Sequence, residues 1–231
     1  RQETAVAVPM VPPPRRAPPA SPDVPPPVRP PPGCPQQGPP RRSLVRVYTV
    51  GMEGMETELK LGKLANGIAV VRKPELLNAL RDLGCCDVKI ATDIRDLNDL
   101  TFKREMWTHI GTHPVTMVDM VEIKRFPAWL LGVRDEFRRV AAAGQPVGIA
   151  VYCRRGKHRS IAGARFLQHC LLHAEGVDVE VVHLCAESIL AGTCRGISCA
   201  EGCEPPGKLL SHASRDKALE RALQIWREGR R

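Results

Sequence analysis

Aromatic residues are scarce in this chain: four Phe, three Trp and two Tyr make up 4% of its 231 residues. That is too few for the stacking platform on which single-stranded RNA binders lay their bases. No apolar run approaches the ~20 residues that a membrane span needs, so no membrane partner is expected. A GxxxxGK(S/T) segment is missing as well, and with it the expectation of ATP or GTP hydrolysis by a Walker-type loop. No two cysteines stand in the C-x2-C spacing of common structural zinc sites. The nine cysteines are odd in number, and Cys85 and Cys86 are adjacent. That scatter does not fit a secreted disulfide framework, so a reducing, cytoplasmic setting is expected. The chain opens on Arg1 instead of Met and is read as a fragment, a processed form or an incomplete gene model, with any targeting segment expected to be missing.

Proline, in contrast, is abundant at one end. Sixteen of the 22 prolines fall between Pro9 and Pro40. Such a composition favours polyproline II and cannot build a core, so residues 1–43 read as a disordered proline-rich segment. The Arg-flanked P-x-x-P spacing at Pro14–Pro19 makes it either a solvated linker or a ligand for a proline-motif-binding protein. The net charge is +9, of which the tail supplies +4, six arginines against Glu3 and Asp23. The remaining +5 is a mild bias towards anionic partners: phosphorylated metabolites, nucleotides or RNA.

Residues 44–231 read as one α/β domain, a mostly parallel sheet with helices on both faces. LVRVYTV from Leu44 is strand-like, and 51–72 is ambiguous. Pro74 opens a helix with Leu76, Leu77, Leu80 and Leu83 on one face and Gly84 as its stop. DVKIATDI is a short strand delivering Asp93 and Arg95 at its C-terminal end. Helices follow Pro114 and Pro127, the second with Leu130, Val133, Phe137 and Val140 at helical spacing. VGIAVY is a continuous apolar run, as in a strand buried on both faces. Ser160–His173 is a helix, DVEVVHL the next parallel strand, and Ser214–Glu228 the last helix.

The densest chemistry lies where VGIAVY runs into CRRGKHRS. In a parallel sheet, ligands bind beyond the carboxyl ends of strands, where loops enter helix N-termini. There the turn's N–H groups, the orphan N–H groups of the first helical turn and the helix dipole favour an anion. Arg154, Arg155, Lys157 and Arg159 add positive charge. Gly156 allows close approach of the backbone, and Ser160 can cap the helix or bond an oxygen. The bland alternative is a solvated basic turn, in which the cations repel one another.

Two resemblances meet on this loop. Cys153 to Ser160 fits CxxGxxRS and so resembles the signature of cysteine-dependent phosphatases. That likeness implies Cys153 as a thiolate nucleophile and Arg159 as a bidentate phosphate clamp. The chain has Tyr152 where those enzymes usually carry His. Asp119, 34 residues upstream, is the candidate general acid, but it reads as lying inside a helix. The longer likeness is to the C-terminal domain of RapZ, the RNase adapter protein family, whose loop is similar to GCTGGKHRS. Here the loop stands as YCRRGKHRS, with Gly156-Lys157-His158-Arg159-Ser160 intact. Asp93 to Asp99, with Asp93, Arg95 and Asn98, resembles the family's DVRFLPNP segment. Ile110 to Pro114 resembles TGLDP, and Val181 to Leu184, with His183, resembles HRDL. Order and spacing agree across residues 87–185.

The resemblance implies a domain that binds a phosphorylated metabolite, a phosphosugar or nucleotide, and that also contributes to RNA binding. It implies a pocket of Cys153 to Ser160 lined by Asp93, Arg95, Asn98 and His183. Arg154 and Arg155 replace the family's small Thr and Gly, so a different ligand is expected. Three readings follow: a phosphometabolite sensor or adapter, a cysteine-dependent phosphatase, and an RNA-binding module on the same basic rim. No cofactor is required by any of them. Cys194, Cys199 and Cys203, with Cys185, His183 and His212 nearby in sequence, could supply zinc ligands at the loose spacing C-x4-C-x3-C, or could be unpaired thiols. His109, His113 and His158 are the candidate proton-transfer groups, with His158 also a hydrogen-bond donor to phosphate.

Overall fold

The run LVRVYTVG carries β-branched residues whose side chains alternate between faces, and all of it except Leu44 and Arg46 is buried. In the computed structural model, which describes residues 43–53, 73–97, 109–185 and 212–229, this run is strand β1 (Leu44–Gly51). It lies inside a four-stranded sheet with β2 (Val88–Asp93), β3 (Gly148–Cys153) and β4 (Asp178–His183). All pairings are parallel, in the order β2-β3-β1-β4. Every residue of β3 is buried, as a continuous apolar run in a two-sided sheet requires. The edge strand β4 is half-buried at best.

Five α-helices accompany the sheet among the described residues: α1 (Lys73–Asp82), α2 (Pro114–Val121), α3 (Phe126–Ala141), α4 (Arg159–Cys170) and α5 (His212–Glu228). The fold class is α/β, with the sheet wholly parallel. From β1 the chain crosses over β3 to reach β2, and from β3 it crosses back over β1 to reach β4. Right-handed crossovers running in opposite directions must put their helices on opposite faces. Two apolar clusters record this. Leu76 and Leu80 of α1 pack on Tyr48, Val50, Ala91, Ala150 and Tyr152. On the other face Val47, Ile90, Ile149 and Val151 meet Met117, Phe126, Leu130, Phe166, Leu167 and Trp226, from α2 to α5.

Local chemistry sets the helix ends. Pro114 occupies the first turn of α2, and the buried His113 caps it by accepting the Val115 N–H on Nδ1 at 3.2 Å. In α4 the small residues Ala162, Gly163 and Ala164 are all buried. A Cβ on Gly163 would stand 2.6 Å from Ile94 Cδ1 and 3.1 Å from Val151 Cγ1, so the helix approaches the sheet more closely than a larger side chain permits. The helix widens into a π-turn over Leu171–Glu175 and stops at Gly176, φ 68°. Ser160, a candidate helix cap from sequence, is inside the first turn instead; the N-cap is His158, whose side chain makes no cap hydrogen bond. Among the described residues no helix is long and apolar enough to cross a membrane.

Candidate functional site

The loop 154–158 leaves β3 at Cys153 and enters α4 at Arg159. Its position follows from the strand order. β1 and β3 are neighbours whose onward connections depart to opposite faces, and such a switch point opens a crevice at the carboxyl ends of the two strands. The loop sits over it. Gly156 adopts φ 74°, and a Cβ there would lie 2.8 Å from both Cα and N of Gly51. A Cβ on Gly51 would in turn lie 2.5 Å from Arg155 C and O. On the other flank the Gly111 N–H donates to Lys157 O at 3.0 Å. A Cβ on Gly111 would meet His158 O and stand 2.5 Å from Ala162 N. The loop is therefore held between two backbone segments that approach it through glycines.

Inside this frame Cys153 is buried, and its sulfur has two partners. The Gly156 N–H donates to Sγ at 3.2 Å, and the thiol and the fully buried Ser160 hydroxyl are 3.3 Å apart. Arg159, in the first turn of α4, is half-buried, and its Nη1 donates to the Arg95 carbonyl at 2.5 Å. That contact brings the end of β2 into the site.

Asp93 is engaged by its near neighbour in the chain. Its carboxylate is taken by Arg95, with Nε at 2.9 and 3.0 Å, Nη2 at 2.6 Å and the backbone N–H at 2.9 Å. The Arg95 guanidinium lies over the Tyr152 ring, 5.5 Å from its centroid. Burial, and secondarily Asp93, push the Tyr152 phenol up to about 12. His183 ends β4 and shares a 2.7 Å hydrogen bond with Thr49 Oγ1; burial lowers its pKa. His109 stacks on His113 at 4.4 Å and is held below its ordinary pKa by burial and by Lys157.

Two expected ligand residues point elsewhere. The exposed Arg154 and Arg155 both turn to Glu53, with Nε to carboxylate distances of 2.5 and 3.2 Å, while the Glu53 N–H donates to Arg154 O at 2.9 Å. Asp119 lies exposed within α2, as its helical reading implied. Asn98, Cys194, Cys199, Cys203 and residues 1–42 of the proline-rich segment lie outside the described residues. Among the described residues no group of three or more His, Cys, Asp or Glu side chains is arranged to hold a metal ion. Cys185 is buried, its sulfur 3.4 Å from Gly51 N.

With this geometry in place, the chain was compared with known proteins. No family model, curated protein or solved structure matches it. The functional reading therefore rests on the site itself. Sequence reasoning missed Gly51, Glu53 and Tyr152. A glycine closing a β-branched strand signals a close backbone approach, which makes Gly51 the one of the three with a readable mark.

Proposed function

We propose that this chain binds a phosphorylated small molecule, a phosphosugar or a nucleotide, with the phosphoryl group seated on residues 153–160, and acts as a sensor or RNA-associated adapter. One observation carries the reading: the Gly156 N–H is aimed inward at Cys153, beside the N-terminus of α4 and at the switch point of the sheet. An anion there meets backbone donors, the positive end of the α4 dipole and the Arg159 guanidinium. The test is a thermal-shift screen of phosphosugars and nucleotides. A ligand at 100 times its Kd adds about 2.7 kcal/mol, which raises Tm by roughly 5–10 °C for a domain of this size. The shift is expected to vanish in Arg159→Ala. If no phosphorylated compound stabilises the wild-type chain, the reading fails.

The paired contacts on Cys153 Sγ favour a second reading, a cysteine-dependent phosphatase. In that chemistry the thiolate attacks phosphorus, the P–O bond to the leaving group breaks, and water hydrolyses the cysteinyl phosphate. The exposed, mid-helical Asp119 is poorly placed to protonate a leaving group, so an aryl phosphate, whose phenolate departs without that help, is the right probe. Turnover that disappears in Cys153→Ser supports the enzyme; a wild-type protein that binds phosphate without turnover removes it.

A further inference from the structure

Two exposed guanidiniums share one carboxylate beside the loop. Arg154 and Arg155 each reach Glu53 through Nε alone, one to each oxygen. The arrangement is built by the backbone. Gly51 lies against the Arg155 carbonyl, and the Glu53 N–H bonds the Arg154 carbonyl at 2.9 Å, so the end of β1 carries Glu53 to the same place whenever the loop is formed. Among the described residues, these two cations face one anion next to Gly156. The Nη groups of both arginines make no contact with another carboxylate among the described residues. Ion pairs this exposed hold weakly in water, and a stronger anion can displace them.

We propose that Arg154 and Arg155 form a second phosphoryl subsite, with Glu53 as its resting internal competitor, and that the ligand carries two phosphoryl groups, as in a nucleoside diphosphate or a bisphosphorylated sugar. This rests on the assignment of residues 153–160 to the first phosphoryl group. Arginine suits the task because its planar fork matches phosphate oxygens in pairs. In this arrangement the carboxylate of Glu53 stands in for the second phosphate and swings away when the ligand arrives. A single phosphate engages the loop and leaves Glu53 in place.

The experiment compares orthophosphate with pyrophosphate by calorimetry on the full chain at fixed ionic strength. Wild type is expected to prefer pyrophosphate by about tenfold or more, the effect of one added charge-assisted contact. Glu53→Gln removes the competing charge and should raise pyrophosphate affinity about two- to fivefold, with a smaller change for orthophosphate. In the double variant Arg154→Ala, Arg155→Ala the preference should fall to near one. All these substitutions are at exposed or half-exposed positions, and circular dichroism checks that each variant is folded. A wild-type protein that binds both anions equally overturns the subsite, as does a preference that survives the double arginine variant. Failure of wild type to bind either anion counts against the loop assignment itself.

Discussion

Replacing Gly51 with alanine would place one methyl group where the loop 154–158 lies. The built Cβ stands 2.5 Å from Arg155 C and O and 2.6 Å from Gly156 N. All three neighbours are backbone atoms, so no side chain can rotate away, and either β1 or the loop must shift. Overpacking of this kind costs about 1–3 kcal/mol, or roughly 2–12 °C in Tm at this chain length. The shift also pulls the Gly156 N–H from Cys153 Sγ, now at 3.2 Å, and so removes a donor from the proposed anion site. Gly132→Ala is the control, since a Cβ there meets nothing within 4 Å. Within α3 it should stabilise by about 0.5–1 kcal/mol through helix propensity. Urea melts give the stability of both variants, and phosphate titration gives the state of the loop. A Gly51→Ala protein as stable as wild type, with phosphate binding intact, would refute the claim that this close approach shapes the site.

Other consequences are as direct. The indole N–H of the buried Trp226 donates to Glu175 Oε1 at 2.7 Å, and Arg138 pairs with the same carboxylate. Glu175→Ala should cost about 1–3 kcal/mol in urea melts by leaving that buried donor unmatched, and Glu175→Gln much less; equal losses would be evidence against the hydrogen bond. The chain has only two tyrosines, Tyr48 and Tyr152, and burial raises the phenol pKa of both. The unfolded chain therefore releases phenolic protons first, and stability falls as pH rises above about 10. Absorbance near 295 nm should stay flat until unfolding begins, and ionisation near pH 10 in a native protein would contradict it. His183 has the opposite window. Burial depresses its pKa, so the unfolded chain binds the extra proton and stability drops as pH falls below about 6.5. A flat urea midpoint between pH 7.5 and 5.5 would argue against this.

The elements were legible in the sequence; their neighbours were not. VGIAVY announces a strand buried on both faces because both sets of alternating side chains are apolar, and β3 is that strand. Pro114 and Gly176 mark their helix ends because φ restriction and left-handed geometry are properties of single residues. The turn of Arg154 and Arg155 onto Glu53 depends on β1 pairing with β3, and no local pattern encodes that pairing. Asp93 differs, because its own neighbour two residues along, Arg95, forks its carboxylate within one short stretch of chain. Ser160 read equally well as a cap or a ligand because its role is set by the sulfur seven residues earlier.

The floor of the loop is Gly51, and the loop itself begins about a hundred residues later. A chain still being synthesised thus lacks the proposed anion site until β3 has emerged and docked on β1, a contact of long sequence separation that forms slowly. Binding competence arrives with the completed sheet instead of with the local motif. Under the proposed function, phosphate would distinguish finished molecules from partly folded ones and act as a thermodynamic brace for the former alone.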